Sequence, residues 1–538
     1  MSPLDLLLNA LFAALAHIVE ALAIGIPAIL VAGRLLAEWL RSRRLMWTWA
    51  TPAVPLGLLI AKSDLGAGLL IAGVGARAWR LGHRWHSDDL HHGADLAEEA
   101  RSRLGIATAV SRLLPAGGVT ESGGGWLRGA RLLIGREQRG REVCIPFGRE
   151  SGLHTLIVGA TGSGKTVTTT WIVCRLIEAG HGAVVLDPKG DRLLHDELER
   201  QAGAAGKRFL EWTPEGPLAY NPYAGGTHTE IADKALAGEQ FTEPHYLRQA
   251  QRYLGHTVRA MHAAEMPVTP GSLMAQLDPR RLDVTARSLP EEHANELQDY
   301  LDSLGDRQRR ELSGVRDRLS ILAESDIRSW LEPGGGVSGI DLHEAVAEQA
   351  VVYFRLDADR RVLLSSMLAS AIVLDLVSFV ATRQQNPVPT AVVIDEFSAI
   401  ARDIVARLFS RGRSAGFSLV LATQELADLR RAGDGLLEQV QGNLSTLIAH
   451  RQVVPASAEL IAAIAGTRPV WSASHQTGRT PFGAPTATAK GSRRRDREPI
   501  IQPSRISELR TGWAVIVTPG GRSPAVAKIV RGDVSRVE

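Results

Sequence analysis

The stretch that decides the fold reads His154-Thr-Leu-Ile-Val-Gly159-Ala-Thr-Gly-Ser-Gly164-Lys165-Thr166, and a helical sequence follows it through Ile177. An apolar strand, a glycine-rich loop and a helix in this order form the context in which such a loop binds a nucleoside triphosphate. Backbone N–H groups of the loop surround the phosphate oxygens, and the N-terminus of the helix favours their negative charge. The predicted phosphate-binding residues are Gly159, Ala160, Thr161, Gly162, Ser163, Gly164, Lys165 and Thr166.

Two of these side chains predict the cofactors. In such a loop the lysine, here Lys165, reaches the β- and γ-phosphates, and the hydroxyl of Thr166 is a ligand for magnesium. The sequence therefore predicts a site for ATP and Mg²⁺.

Five further apolar runs predict the rest of a doubly wound sheet. They lie at residues 183–187, 349–356, 391–396, 418–424 and 445–451. Continuous apolar runs are typical of strands that are buried on both faces, and helical sequence separates each run from the next. The predicted fold class is therefore α/β, with a mainly parallel sheet.

Two carboxylates end the third of these runs and supply the predicted catalytic chemistry. At the carboxyl edge of the sheet, Asp395 would hold Mg²⁺ through water, and Glu396 would orient and deprotonate the attacking water. Gln424, at the end of the next run, would sense the γ-phosphate or position that water, unless it is an ordinary polar strand end.

A basic segment ahead of that run contains a candidate arginine finger, a cation that completes the active site of a neighbouring subunit. Arg411 and Arg413 are the candidates in this segment, and Arg451 is a weaker candidate elsewhere in the chain. The alternative is a solvated basic helix end.

Composition excludes other classes of protein. The chain has 538 residues, of which 45% are hydrophobic and 22% charged, as in an ordinary globular protein. Its two cysteines, Cys144 and Cys174, exclude a disulfide scaffold and a Cys-rich zinc module. A formal net charge of +3 is too small to argue for nucleic-acid binding, which depends on local basic patches.

Residues 1–80 predict a membrane anchor. Two mostly apolar blocks, at residues 6–36 and 47–79, are long enough to cross a bilayer, which takes about 20 apolar residues. The second block is broken at Lys62-Ser-Asp64, so it is either one span with a polar centre or a short hairpin with these residues at its tip. A cleaved signal peptide and a buried helical hairpin of a soluble domain are the alternatives.

The remaining boundaries follow from changes in composition. A polar linker is expected at residues 81–127, and the nucleotide-binding domain at 128–229 and 336–473. Between its two parts, residues 230–335 are charged and helical in pattern and predict an inserted all-α domain, which either contacts DNA or a partner or is a solvated helical pack. Residues 474–499 predict a disordered basic loop, which binds DNA phosphates or only solubilises. Residues 500–538, with a strand at 513–517, complete the nucleotide-binding domain.

Together these motifs resemble those of type IV secretion coupling proteins, the TraD/TraG-type conjugative DNA-transfer ATPases of the FtsK/HerA group of RecA-like motors. The resemblance covers residues 134–530. Besides the phosphate loop, it rests on Asp187-Pro-Lys-Gly190, Asn221-Pro222, Asp395-Glu-Phe397, Arg411-Gly-Arg413 and Ala422-Thr-Gln424.

The resemblance implies a RecA-like P-loop motor anchored by N-terminal transmembrane helices in the inner (plasma) membrane, with its motor domain in the cytoplasm. Such motors form homo-hexamers that couple ATP hydrolysis to the export of single-stranded DNA, together with a relaxase and secretion-channel proteins. It also implies that Arg413 is the finger that acts on a neighbour and that Gln424 senses phosphate. Two other functions stay open, a nucleotide-switched receptor for protein substrates and a double-stranded DNA translocase.

Overall fold

The computed structural model describes most of the chain. The described residues are 25–40, 50–61, 64–92, 126–138, 140–148, 153–238, 243–334, 336–383, 385–396, 402–431, 436–479, 485–519 and 523–530. They fall into two compact units, one made of residues 1–123 and 467–499 and the other of residues 124–466 and 500–538.

The smaller unit contains three described helices, which are α1 (residues 25–40), α2 (Ala53–Ile60) and α3 (Leu65–His92). Helices α2 and α3 pack closely at glycines. A Cβ atom at Gly57 would lie 2.5 Å from the backbone nitrogen of Ala72, and one at Gly68 would lie 2.4 Å from that of Ala61. The second apolar block is therefore a helical hairpin, the second of the two predicted alternatives.

Helix α3 continues past residue 80, where the sequence predicts the end of the membrane anchor, and runs without interruption to His92. The polar sequence between Trp79 and His92 contains one glycine, Gly82, but no proline that would end the helix. The expectations for residues 1–24 and for most of the linker, residues 93–125, lie outside the described residues.

The larger unit is built on a sheet of eleven described strands. Their bounds are β1 (Arg131–Glu137), β2 (Glu142–Pro146), β3 (Thr155–Val158), β4 (Gly182–Asp187), β5 (Phe209–Trp212), β6 (Val351–Arg355), β7 (Thr390–Ile394), β8 (Phe417–Thr423), β9 (Thr446–Ala449), β12 (Trp513–Val517) and β13 (Ala525–Ile529). Their spatial order is β2-β1-β13-β12-β9-β3-β8-β7-β4-β6-β5. The seven strands from β9 to β5 are parallel, and the other four are antiparallel. The prediction of a mainly parallel sheet is confirmed.

Helices cover this sheet and connect its strands. They are α4 (Lys165–Glu178), α5 (Arg192–Ala204), α12 (Leu342–Ala347), α13 (Val362–Thr382), α14 (Arg402–Arg411), α15 (Leu426–Arg431), α16 (Leu436–Asn443), α17 (Pro455–Ala465) and α18 (Pro503–Ser507). The parallel strands β3, β4, β7 and β8 are buried along their whole length. Because these four strands are parallel, their carboxyl ends meet at one edge of the sheet, where ligands bind in folds of this kind.

Between β5 and β6 the chain forms a helical insertion. Its helices are α6 (His228–Leu236), α7 (Pro244–Ala263), α8 (Pro270–Gln276), α9 (Pro279–Ala286), α10 (Glu291–Ser303) and α11 (Asp306–Ala323). A buried ion pair joins the insertion to the rest of the unit, since Lys234 Nζ on α6 lies 2.7 Å from Asp375 Oδ1 on α13. The phenol of Tyr220 donates to the other oxygen of that carboxylate at 2.5 Å.

One described helix, α13, is long and apolar enough to cross a membrane. Two thirds of its most apolar stretch is buried (67%), because Leu368, Ile372 and Leu376 pack into the core of the larger unit. The described residues therefore do not show the N-terminal spans that the sequence predicts.

Residues 474–479 and 485–499, in the segment predicted to be a disordered loop, instead form part of an antiparallel ribbon. Strand β10 (Thr467–Arg479) pairs with β11 (Pro485–Pro499), with Trp471 opposite Arg495. The composition suggested disorder because Gly, Pro and charged residues are frequent here. However, the hydrogen bonds of a two-stranded ladder are made by the backbone and depend little on side chains.

Candidate nucleotide site

The phosphate loop connects β3 to α4 and depends on three glycines. Gly162 and Gly164 have φ values of +72° and +114°, which glycine adopts without steric cost. A Cβ atom at Gly159 would lie 2.6 Å from the Cβ of His450 and 2.6 Å from Ser163 Oγ, so a larger residue does not fit. The Ser163 hydroxyl is buried and has no hydrogen-bond partner among the described residues.

Lys165 is the first residue of α4 and lies within the loop. Its ammonium donates a hydrogen bond to the Gly159 carbonyl at 2.5 Å. Burial lowers the pKa of Lys165, whereas the carboxylates of Asp395 and Glu396 oppose that shift. The structure therefore brings the predicted lysine and the two predicted carboxylates together.

Asp395 follows β7 at the carboxyl edge of the sheet and is an oxygen donor suited to Mg²⁺. Burial and the nearby charge of Asp187 raise its pKa to about 6, and Lys165 acts in the opposite direction. Because burial disfavours the charged form of Asp395, a nearby cation would stabilise its carboxylate. Magnesium is usually held by one or two protein oxygens together with substrate phosphates. Asp395 and the Thr166 hydroxyl at the start of α4 are such a donor set.

Glu396 is held by two donors from different parts of the chain. Lys189 Nζ and Gln424 Nε2 each lie 2.5 Å from the same oxygen, Oε1. Burial acts to raise the pKa of Glu396, but the hydrogen bonds from Lys189 and Gln424 outweigh it and the pKa lies below its ordinary value. The residue has φ +46°, a conformation that residues other than glycine rarely adopt. Such backbone strain is typical of active sites.

Asp187 organises the turn that carries Lys189, a function that sequence reasoning did not assign. Its carboxylate accepts hydrogen bonds from the backbone N–H groups of Lys189 and Gly190 at 2.9 Å and of Asp191 at 2.7 Å. The phenol of Tyr353 donates to it as well, at 2.7 Å. The only signal in the sequence was the Asp-Pro-Lys-Gly motif itself.

A second residue that the sequence did not single out, His450, lies directly beneath the loop. Its Nδ1 donates to the Trp513 carbonyl at 3.1 Å, so Nε2 is the acceptor for the Thr168 hydroxyl at 2.9 Å. Burial lowers the pKa of His450 to about 4, which keeps the ring neutral. The ring therefore connects the antiparallel strand β12 to α4. A histidine inside the apolar run at 445–451 was the available signal.

The structure does not bring Arg413 to this site. Its Nη2 donates to the Asn443 carbonyl at 2.8 Å and lies 3.2 Å from Ser445 Oγ, at the amino edge of the sheet. Arg411 ends α14 at the same edge. Arg451 lies at the carboxyl edge, where its carbonyl accepts a hydrogen bond from Ala160 N–H at 2.9 Å.

A loop of this shape, a lysine inside it and two carboxylates at the adjoining strand end define a P-loop nucleotide site on an α/β sheet. Residues 141–529 match the family described as type IV secretion-system coupling protein DNA-binding domain. This match spans more than half of the chain, so the chain belongs to the type IV secretion coupling protein family.

Solved structures share the RecA-like P-loop fold of this chain. The unbound monoclinic form of the bacterial conjugative coupling protein TrwBdeltaN70 has a TM-score of 0.55 at 16% identity, over 77% of this chain and 95% of that one. The plasmid coupling protein TrwB in complex with ADP and Mg²⁺ has a TM-score of 0.54 at 16% identity, over 77% of this chain and 97% of that one. VirB4 of Thermoanaerobacter pseudethanolicus has a TM-score of 0.51 at 12% identity, over 77% of this chain and 100% of that one. No curated protein sequence matches the chain.

Proposed function

We propose that this chain is an ATP hydrolase that drives DNA through a type IV secretion system. The observation that carries the proposal is the convergence of Lys165, Asp395, Glu396 and Gln424 at one sheet edge, within a chain of the coupling protein family. A site that only binds Mg²⁺ and nucleotide needs Asp395 but not Glu396, whereas hydrolysis uses both carboxylates.

Each side chain has a step in the proposed reaction. Lys165 neutralises charge on the β- and γ-phosphates, and Asp395 with Thr166 holds Mg²⁺, which stabilises the charge that develops as the terminal phosphate leaves. Glu396 orients the attacking water and accepts its proton through a carboxylate oxygen. Gln424, hydrogen-bonded to Glu396, fixes the position of that oxygen.

Arg413 is proposed to act on a neighbouring subunit within a homo-hexamer. Its place at the amino edge supports this role, because it is remote from the nucleotide site of its own chain, which lies at the carboxyl edge. A ring arrangement lets a cation at one edge of a subunit reach the phosphates held by the next.

Residues 1–80 are proposed to anchor the motor in the inner (plasma) membrane, with the larger unit in the cytoplasm. The apolar exposed side chains of α1 and α2 support this, among them Val31, Leu35, Leu58 and Leu59, each more than half exposed. Large apolar side chains exposed together are typical of surfaces that meet lipid or another protein.

Single-stranded DNA delivered by a relaxase is the proposed cargo, and DNA-dependent hydrolysis tests it. The full-length chain, in detergent or nanodiscs, is assayed for ATP turnover with single-stranded DNA, duplex DNA and no DNA, at low and moderate salt. We expect single-stranded DNA to stimulate ATP turnover in the wild type. We expect the Glu396→Gln variant to lose this stimulated turnover. Glu348→Gln is the matched control, because Glu348 is also ion-paired, to Arg208, but is remote from the site.

The other outcomes identify the competing functions. A rate that is indifferent to every DNA would support the nucleotide-switched receptor for protein substrates. Stronger stimulation by duplex DNA would support a double-stranded DNA translocase.

A further inference from the structure

The Asp187-Pro-Lys-Gly190 segment brings a second lysine to the catalytic carboxylate. Lys189 Nζ lies 2.5 Å from Glu396 Oε1, the same oxygen that accepts from Gln424. Glu396 and Gln424 have steps in the proposed reaction, but Lys189 has none. A charged side chain in direct contact with the reacting group requires an explanation.

The backbone of Lys189 is held in place by hydrogen bonds, whereas its side-chain ammonium can move. The Asp187 carboxylate accepts a hydrogen bond from the backbone N–H of Lys189 and from that of Gly190, each at 2.9 Å. Gly190 has φ +75°, and a Cβ atom there would lie 2.8 Å from Arg355 Cδ, so the turn is tightly packed from beneath. The Lys189 side chain, in contrast, is 42% exposed.

The contact with Glu396 would put Lys189 next to the γ-phosphate of a bound nucleotide. In the proposed reaction one water molecule lies between Glu396 and that phosphate, so a group in contact with Glu396 is a few ångströms from the phosphate oxygens. A terminal phosphate carries about two negative charges and three acceptor oxygens, more than the single charge of Glu396. The flexible four-carbon stem of a lysine is suited to following such a change.

We infer that Lys189 is a γ-phosphate ligand that is held on Glu396 until a nucleoside triphosphate binds. When ATP binds, the ammonium transfers from Glu396 to the γ-phosphate, and Glu396 becomes free to accept a proton from water. ADP has no γ-phosphate, so Lys189 stays on Glu396. The inference rests on the proposed function for the role of Glu396, but its binding step needs neither hydrolysis nor DNA.

Nucleotide affinities of the full-length chain test the binding step. Dissociation constants for ADP and for the non-hydrolysable triphosphate AMP-PNP, both with Mg²⁺, are measured for the wild type and for Lys189→Met, a neutral side chain of similar length. We expect the AMP-PNP affinity to fall about ten- to a hundredfold, as for loss of a hydrogen bond to a charged group, and the ADP affinity to be unchanged. Equal losses for both nucleotides, or no loss, would overturn the inference.

Lys207→Met is the matched control. Lys207 is likewise partly buried, but it donates to the Gly180 and Gln349 carbonyls at the amino edge of the sheet. We expect this variant to bind both nucleotides as the wild type does. If it too lost affinity for AMP-PNP alone, the effect would not belong to Lys189.

A double-mutant cycle tests the exchange between Glu396 and phosphate. Glu396→Gln weakens the hold on Lys189, so it should tighten AMP-PNP binding in the wild-type background and less so in the Lys189→Met background. If the effects of the two substitutions on the binding free energy of AMP-PNP were additive, the proposed exchange of Lys189 between Glu396 and phosphate would be overturned. A wild-type chain that discriminates the two nucleotides through Lys189 but never hydrolyses ATP would contradict the proposed function and leave this inference standing.

Discussion

Replacing His450 with alanine tests whether the antiparallel end of the sheet supports the phosphate loop. The ring is fully buried and makes two hydrogen bonds, to the Trp513 carbonyl at 3.1 Å and to the Thr168 hydroxyl at 2.9 Å. Alanine keeps the Cβ atom that lies against Gly159 but removes the ring and both hydrogen bonds. The connection between β12 and α4 is then lost, while the close contact with the loop remains.

The magnitude follows from these contacts. Each hydrogen bond contributes about 1 kcal/mol, and the cavity left by a buried ring adds on the order of 1 kcal/mol more. A total of about 3 kcal/mol corresponds to roughly a hundredfold in an equilibrium constant. If this free energy stabilises the conformation of the phosphate loop, the affinity of His450→Ala for ADP should decrease by up to that factor. Thr168→Val keeps the ring but removes the hydroxyl, whose single hydrogen is shared between His450 Nε2 at 2.9 Å and the Gly164 carbonyl at 3.1 Å, so we expect about a fivefold decrease.

The assay is calorimetric binding of ADP with Mg²⁺ to the full-length chain, together with thermal unfolding without nucleotide. His154→Ala is the matched control, because His154 is also fully buried at the other end of β3. Its Nε2 donates to the Phe409 carbonyl at 2.9 Å, and its Nδ1 accepts from Leu419 N–H at 3.4 Å. We expect His154→Ala to lower the unfolding temperature but to bind ADP normally. If His450→Ala behaves in the same way, the ring only fills space and the reasoning is refuted.

Three further predictions concern turnover, the buried ion pair and pH. Glu396→Gln should retain ADP binding and slow ATP turnover about a hundredfold or more in a steady-state assay, as expected for a lost general base; an unchanged rate would exclude that role. Lys234→Met leaves the Asp375 carboxylate buried without its cation and should cost about 3–5 kcal/mol of stability in denaturant unfolding; Lys234→Met with Asp375→Leu should recover only part of this, because the buried Tyr220 phenol then loses its acceptor. Burial lowers the pKa of both His154 and His450 from 6.5 to about 4. The unfolded chain therefore takes up protons below about pH 6.5 that the folded chain refuses until about pH 4, so the unfolding temperature should fall across that window, and less steeply in His154→Gln.

The sequence was sufficient for those parts of the molecule that local pattern determines. Strands such as β4 and β8 are buried on both faces and show it as continuous apolar runs. The phosphate loop was recognisable because its glycines have special backbone angles, and Asp395 and Glu396 because they end such a run. These residues are brought together by the parallel register of the sheet, which the pattern itself implied.

What the sequence could not show depends on contacts between distant segments. The strand β1 pairs with β13, almost four hundred residues later, so no local periodicity marks the antiparallel end of the sheet. Lys189 and Glu396 meet only because β4 and β7 are neighbours. His450 looked like one polar residue in an apolar run until the Trp513 carbonyl was placed beside it. The ribbon of β10 and β11 was missed because composition says little about backbone pairing.

The support of the loop by β12 has a consequence for the order of events during synthesis. Besides the His450 contact, the Gly512 N–H donates to the Ser163 carbonyl at 2.9 Å, so the loop is completed by residues translated long after it. At ordinary elongation rates that delay is on the order of tens of seconds. Throughout it the ribosome-bound chain carries a phosphate loop that lacks these supports. A newly made subunit therefore gains these two supports of its phosphate loop only after Trp513 has been translated.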